Sequence, residues 1–552
     1  MKPHYISLLS DEPNSICEPG VAPKIFFPRS VASGESWLIE FPHEVVGFLR
    51  ISFRGRGTVQ YRCGESRNEA LGLPFGHVEH SDEWPQREDV QLVRGEDVWQ
   101  SVERFAARWC KLTLTPEDPP LEVISIGIAV SGHQIKAAGD FVCSDPRMNA
   151  LHETGVRTAR LCMQEEFYED GVRRDKLPWI FDALVTALVN YYSFGDRDLF
   201  RSTWRFFAGR YSGEGIIGAH TSLWDYACWW NIGLYTHYLY LDDSELVYEL
   251  YPTAKKNIDA LLARRDKHGL LVKEGRREVF GGGEALLFKA LQDTAKLAAV
   301  VGDQTYSTRY ELAAQQVGKA VNAYFWDTAR GCYLDPRPPH ANIGHRCSVV
   351  CVEESLNSFA MLYGIADSHQ ASSAAKYLQR NLWGPYGSFP VERPRKADGG
   401  FGPIIGQSGP PVHNDCVWPV MNFFQVEALF AHGLPQAWDL LARCWGNMLD
   451  RGADTYWECV HEDGTIPALW TSLCHGWSSG ISYTLPATVA GVRPLSPGYR
   501  TFTVKPQLGA LEWIRVAVPT PFGQIKVEVS KGGNRTDITI ISAPDECRYE
   551  KA

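Results

Sequence analysis

Acids, arginines and an indole crowd one short stretch of this 552-residue chain, Glu169-Asp170-Gly-Val-Arg-Arg-Asp175-Lys-Leu-Pro178-Trp179-Ile-Phe-Asp182, directly ahead of an apolar run. Pro178 suits the first turn of a helix, which leaves Asp175 in the entering loop and Asp182 one turn inside. That arrangement would project several carboxylates into one mouth. Helix capping accounts for one acid at a helix N-terminus, not for three. A second carboxylate stands in Tyr456-Trp457-Glu458, just before the turn His461-Glu462-Asp463-Gly464. Flanking aromatics would partly desolvate Glu458, which suits a group that exchanges a proton near neutral pH; the plain alternative is a solvated Glu in an aromatic loop. Cleaving a glycosidic bond needs two carboxyls on opposite faces of a sugar, one protonated and one ionised.

Asp175 and Glu458 are so far apart in sequence that only a closed architecture makes them neighbours. From about Trp37 to Val130 the apolar period is two: Leu49, Ile51 and Phe53 alternate with Arg50, Ser52 and Arg54, and Val59, Tyr61 and Cys63 resume it after a Gly55-Arg-Gly57 turn. Several such runs make a β-sandwich. From Met148 to about Leu485 the spacing turns helical, as in Ala183 to Tyr192, Tyr226 to Tyr240, Tyr306 to Phe325, Glu353 to Tyr363, Val417 to Phe430 and Ala437 to Leu449. Roughly a dozen helices without intervening strands form either a solenoid or a ring of hairpins, the (α/α)6 toroid, and the toroid brings its first and last hairpins together. Period two returns after Gly491, with Phe502 and Val504, then Ile525, Val527 and Val529, then Ile538 and Ile540, and Lys531-Gly-Gly-Asn534 as a hairpin turn. The expected organisation is an N-terminal β-sandwich over 1–138, a toroid over 139–488 and a small C-terminal β-sandwich over 489–552.

A formal net charge of −10 argues against a general affinity for nucleic acid, which needs a basic face. No run approaches the ~18 consecutive apolar residues of a membrane span, and the N-terminus lacks the apolar core of a secretory signal; the expectation is a cytoplasmic protein. Fourteen cysteines scattered singly from Cys17 to Cys547 suit a reducing compartment and buried thiols. Cys347 and Cys351, with His345 nearby, lack the further ligands of a zinc site, so neither metal nor cofactor is expected. Eighteen Trp and twenty-three Tyr are many for this length, and flat rings stack on sugars as well as on each other.

The spacing Asp170, Asp175, Trp179, Asp182, with Thr455-Tyr-Trp-Glu458 and Ser472-Leu-Cys-His475-Gly-Trp477-Ser, resembles glycoside hydrolase family 78, the α-L-rhamnosidases. Gly139-Asp-Phe-Val-Cys143-Ser-Asp145 and Gly491-Val-Arg-Pro-Leu-Ser-Pro-Gly-Tyr499 extend the resemblance over the toroid and both sandwiches. It implies an inverting hydrolase of small rhamnosylated substrates, with Asp175 as acid and Glu458 as base. It further implies that Asp170, Trp179, Asp182 and His475, with Trp224 and Asp225 of Ser222-Leu-Trp-Asp-Tyr, hold the sugar. Arg174 is placed in the substrate-binding set, although which of Arg173 and Arg174 faces the pocket stays open. A homodimer is a possible assembly. Two departures stand out. Many members carry Glu where this chain has Asp175, a difference of about one bond length, ~1.5 Å, and an Asp-Trp pair expected after the middle helices is replaced by Lys273-Glu-Gly-Arg-Arg-Glu-Val-Phe280.

Other readings keep parts of this pattern. Another toroidal carbohydrate enzyme, such as a glucosidase or fucosidase, would retain paired acids; a polysaccharide lyase would use a Tyr or His base; a lectin would bind sugar without turnover, but has no need of so many acids. His220 and His237 read as structural histidines. Phe401 to Gly409 is glycine-rich but lacks the Lys of a phosphate loop.

Overall fold

The computed structural model describes the whole chain except residues 1–3, 8–24, 31–34, 74–88, 119, 175, 211–214, 219–222, 273–281, 337–349, 395–414, 468–470, 534 and 552. The expectations for Asp175, His220, Lys273 to Phe280, His345 with Cys347, and Phe401 to Gly409 therefore fall outside the described residues.

Six strands, β1 (His4–Ser7), β2 (Ile25–Ser30), β3 (Glu35–Gly64), β4 (Asp89–Gln100), β5 (Phe105–Pro116) and β6 (Glu122–Val130), form one sheet. The Gly55-Arg-Gly57 segment does not end a strand, contrary to the sequence reading. β3 runs through it, with Gly55 opposite Gly95 and at a φ of 94° that only glycine adopts without strain. The two ends of β3 pair with the same stretch of β5, Trp37 and Tyr61 both opposite Leu112, so the sheet folds over a core of Trp37, Leu49, Ile51, Phe53, Val59 and Tyr61. A short helix, α1 (Arg67–Leu71), follows β3, capped by Ser66 at one end and by Gly72 at φ 68° at the other.

β7 (Asp140–Cys143) leads into the helices α2 (Pro146–Cys162), α3 (Ile180–Ser193), α4 (Asp198–Ala208), α5 (Trp224–Leu241), α6 (Ser244–Leu262), α7 (Gly283–Val300) and α8 (Gln304–Phe325). A ribbon of β8 (Trp326–Asp327) and β9 (Cys332–Tyr333) precedes α9 (Glu354–Leu362) and α10 (Ser368–Asn381). β10 (Trp383–Gly384) pairs with β11 (Gly387–Ser388), and β12 (Cys416–Val417) with β13 (Val460–His461), around α11 (Pro419–Ala431), α12 (Gln436–Leu441) and α13 (Asn447–Asp450). The helix expected over Ala437 to Leu449 is thus interrupted: residues Ala442–Gly446 widen into a π-turn between α12 and α13.

Burial divides the helices in two. Every residue of α3 is buried and α11 is buried from Pro419 to Phe430, as apolar-all-round sequences require, whereas α4, α8 and α10 keep exposed faces. The interior helices pack in succession, α3 on α5, α5 on α7, α7 on α9 and α9 on α11; α11 then meets the 3-10 turn Gly476–Gly480, which packs back on α3. Stacked rings of Phe181, Trp229 and Phe424 fill the centre. Close approach of α5 to α4 depends on Gly233, where a Cβ would stand 2.0 Å from the Trp204 ring. Gly233→Ala is expected to destabilise the fold by about 1–3 kcal/mol through overpacking, read as a lower midpoint in urea unfolding.

α14 (Ile481–Thr484) closes the helical region, and the chain ends in β14 (Val492–Pro494), β15 (Thr501–Val504), β16 (Trp513–Thr520), β17 (Gly523–Gly532), β18 (Arg535–Ser542) and β19 (Arg548–Tyr549). These make two sheets, β14-β15-β19 and β18-β17-β16-β7. β7, which the sequence reading placed at the head of the helical region, is a strand of the C-terminal sheet, with Cys143 opposite Ile514. The expected hairpin turn is present, Gly532 facing Arg535 around Gly533 at φ 67°. Phe502, Ile525, Val527 and Val529 are buried, and Ile538 and Ile540 pack on them, as their alternation requires. The architecture is a central helical region flanked by sheets. Among the described residues no helix is long and apolar enough to cross a membrane.

Candidate active site

The acidic segment is a loop between α2 and α3, and its backbone is fixed at several points. Asp170 N–H donates to the Leu177 carbonyl at 3.0 Å, Gly476 N–H to the Asp170 carbonyl at 2.7 Å, and Gly171 bridges His475. A Cβ on Gly171 would lie 3.1 Å from the His475 ring, so glycine permits the two chains to approach. Pro178 is not in the first helical turn as expected. α3 starts at Ile180 behind Trp179, which makes no side-chain cap, and Asp182 occupies the first turn.

Not all the acids enter one mouth. Glu169 turns to the N-terminal sheet, where Arg104 holds its carboxylate at 2.5 and 2.8 Å. Arg173 turns the same way and pairs with Glu69 at 2.6 Å. Arg174 is the arginine that reaches the second candidate carboxylate, its Nη2 3.5 Å from Glu458 Oε1. The other oxygen of Glu458 accepts the Ser472 N–H at 3.0 Å. Both donors suit an ionised carboxylate, and they reach it in a buried position.

The aromatics beside Glu458 do not enclose it in the manner expected from sequence. The Tyr456 hydroxyl is buried on the Leu151 carbonyl and Trp457 lines a separate cavity beside the N-terminal sheet. The indole joined to the Glu458 backbone is instead Trp477, whose Nε1 donates to its carbonyl at 3.1 Å.

Around this centre Asp182 stands 3.8 Å from His475 Nδ1 and accepts the Tyr226 hydroxyl at 3.5 Å. Trp179 meets Tyr226 edge to face and His475 lies against Trp477. Burial, reinforced by Asp182, Asp225 and Asp170, pushes the Tyr226 phenol well above its usual range and keeps it a hydrogen-bond donor. Burial and then Arg174 hold His475 well below its usual value, so the ring is neutral. The structure therefore brings together Asp170, Arg174, Trp179, Asp182, Asp225, Glu458 and His475. Trp224 is buried against the start of α7, where a Cβ on Gly283 would lie 1.7 Å from its ring. Tyr226 was missed by the sequence reading although it directly follows Asp225; its phenol had no local motif to mark it. His237 is a satisfied structural histidine, between Tyr191 and Asp243 at 3.2 and 3.0 Å.

Residues 136–282 match the bacterial alpha-L-rhamnosidase 6 hairpin glycosidase domain and residues 491–542 the bacterial alpha-L-rhamnosidase C-terminal domain, while residues 284–382 match the trehalase family. No curated protein matches the chain. Among solved structures, the GH78 rhamnosidase of Bacillus sp. GL1 superposes with a TM-score of 0.75 at 22% identity, covering 94% of this chain and 53% of its own. A Klebsiella oxytoca rhamnosidase with rhamnose bound gives 0.66 at 22% identity, covering 83% of this chain and 89% of its own. The Streptomyces avermitilis α-L-rhamnosidase complexed with L-rhamnose gives 0.68 at 14% identity, covering 97% of this chain and 50% of its own. The chain thus spans about half the length of the Bacillus and Streptomyces proteins. The chain thus shares its fold with glycoside hydrolase family 78 rhamnosidases of known structure. Two of its segments match α-L-rhamnosidase domain families.

Proposed function

We propose that this protein is an inverting α-L-rhamnosidase acting on the terminal, non-reducing α-L-rhamnose of small glycosides. The observation that carries the reading is the seat of Glu458. Its carboxylate is held by a backbone N–H and by Arg174, and Arg174 is the immediate neighbour of Asp175. In this reading Asp175 donates its proton to the glycosidic oxygen as the bond to the anomeric carbon breaks. Glu458 takes a proton from the water that attacks the opposite face. One displacement inverts the anomeric centre, and the two carboxyls are expected roughly 6.5–9.5 Å apart to admit that water. Asp170, Asp182, Asp225 and His475, with Tyr226, serve the sugar hydroxyls; Trp179 and Trp477 offer apolar faces to the ring and its methyl group.

We read the helical region, 139–488, as an (α/α)6 toroid between an N-terminal sandwich over 1–138 and a C-terminal one over 489–552. The succession of interior helices that returns to α3 supports a ring, in which the two candidate segments would lie side by side.

The trehalase match over 284–382 favours one second reading, a glucosidase on a related helical scaffold. A panel of aryl glycosides separates the two. The expected result is kcat/KM for the α-L-rhamnoside at least about tenfold above those for the α-D-glucoside and α-D-mannoside, since hydrogen-bonding pockets reject sugars that leave their groups unpaired. Equal rates on rhamnoside and mannoside would contradict the pocket assignment, and preference for the glucoside would favour the second reading.

A further inference from the structure

Two carboxylates that belong to neither the acid nor the base lie directly behind the site. Glu65 stands just past the end of β3 and Glu69 in α1. Glu65 follows β3 and is buried; its Oε1 accepts the Ser472 hydroxyl at 3.0 Å and the Cys474 N–H at 3.1 Å, and its Oε2 the Leu473 N–H at 2.7 Å. Ser472 is the residue whose N–H holds Glu458 and whose carbonyl accepts the Glu458 N–H at 2.9 Å. One turn of α1 further on, Glu69 accepts the Glu65 N–H at 2.9 Å and pairs with Arg173 at 2.6 Å. One short piece of the N-terminal region thus grips both halves of the site: the segment beneath Glu458 and the turn that carries Arg174.

Packing alone would be met by apolar side chains here, and ionisable groups buried at such a junction are costly unless paired. We propose that Glu65, seated by Glu69, is a positioning residue that sets the placement of Glu458 from the N-terminal sheet, and that its ionisation makes the site's activity depend on pH. This rests on the reading of Glu458 as the base.

The charges around Glu65 support a titration in the working range. Burial raises its carboxyl to about 7, with Arg173 pulling down and Glu69 pushing up. Glu44 of β3 is raised well above the usual carboxylate range by burial, then by Glu65 and Asp454. The Thr455 hydroxyl donates to Glu44 at 3.2 Å, and the Glu44 N–H to Asp454 at 2.8 Å. A cavity of about 360 Å³, lined by Glu44, Glu65, Asp454 and Trp457, gives the pair a route for proton exchange. Ionised, Glu65 accepts all three donors from Ser472, Leu473 and Cys474. Protonated, one oxygen becomes a donor and the grip on that segment loosens. Because the folded value lies above the ordinary 4.5, this ionisation lowers fold stability as pH rises through 7 even as it completes the grip.

The test uses the full chain and the variants Glu65→Gln and Glu69→Gln. It measures the pH dependence of kcat and KM on an aryl α-L-rhamnoside, amide hydrogen exchange over 472–474, and urea unfolding. For folded Glu65→Gln, exchange at Leu473 and Cys474 should accelerate. Its kcat should fall on the order of tenfold to a hundredfold, with KM within about threefold, as for a displaced catalytic group. The acid limb near pH 7 should disappear from its profile. Glu69→Gln leaves the three bonds to Glu65 in place and should move that limb to lower pH, which keeps the proposal decidable if Glu65→Gln does not fold. Unchanged exchange, or an unchanged kcat and pH profile in folded Glu65→Gln, overturns it, as does a Glu69→Gln limb that stays in place. If the wild type cleaves no rhamnoside, the functional reading fails, while accelerated exchange still supports and unchanged exchange still overturns the grip of Glu65 on residues 472–474.

Discussion

Glu458→Gln should lower the turnover of an aryl α-L-rhamnoside by about 10²–10⁴-fold, the range that a positioned proton acceptor contributes, while rhamnose still binds with affinity within about threefold of the wild type. The amide is nearly isosteric, so the backbone hydrogen bond from the Glu458 N–H to the Ser472 carbonyl persists. What disappears is the anion opposite Arg174 and the Ser472 N–H, and with it the acceptor for the water proton. Because the lost interaction develops only as water is deprotonated, the loss should appear in kcat. Steady-state kinetics with calorimetric rhamnose binding separate the two. A variant that keeps wild-type turnover would remove Glu458 from the mechanism.

Asp175→Asn should cost about 10²–10⁴-fold on a substrate with a poor leaving group, where the departing oxygen needs a proton, and markedly less on an activated aryl rhamnoside. Its signature is the pH profile. A donor must be protonated to act, so the basic limb of the wild-type bell reports its ionisation, and Asn cannot ionise. The variant should lose that limb and keep the acid limb. A rate and profile equal to the wild type would exclude Asp175 as the donor.

The sequence carried the elements better than their partners. Alternation at Leu49, Ile51 and Phe53 and full burial of α3 follow from local periodicity, and both are in the structure. β7 joining the C-terminal sheet was not legible, because the pairing of Cys143 with Ile514 is decided by a contact hundreds of residues away. Nor was the bend of β3 at Gly55, where a glycine pair reads as a turn but curves a continuous strand.

The same division holds at the site. The acidic segment and Glu458 were marked by residue type and spacing. The divergence of Arg173 toward Glu69 and Arg174 toward Glu458 is set by the turn after Gly171, and neighbouring arginines of identical chemistry give no sign of it. Glu65 and Arg104 flank strands of the N-terminal sheet, with no motif to mark them; only the folded contact reveals that they hold the segment under Glu458 and the carboxylate of Glu169.

The most direct test of the central claim is the anomer first released from an aryl α-L-rhamnoside, followed by proton NMR before mutarotation. Inverting hydrolysis by Asp175 and Glu458 predicts β-L-rhamnose as the initial product, with its formation slowed about 10²–10⁴-fold in Glu458→Gln. Initial release of α-L-rhamnose would mean retention through a covalent intermediate and would contradict the account.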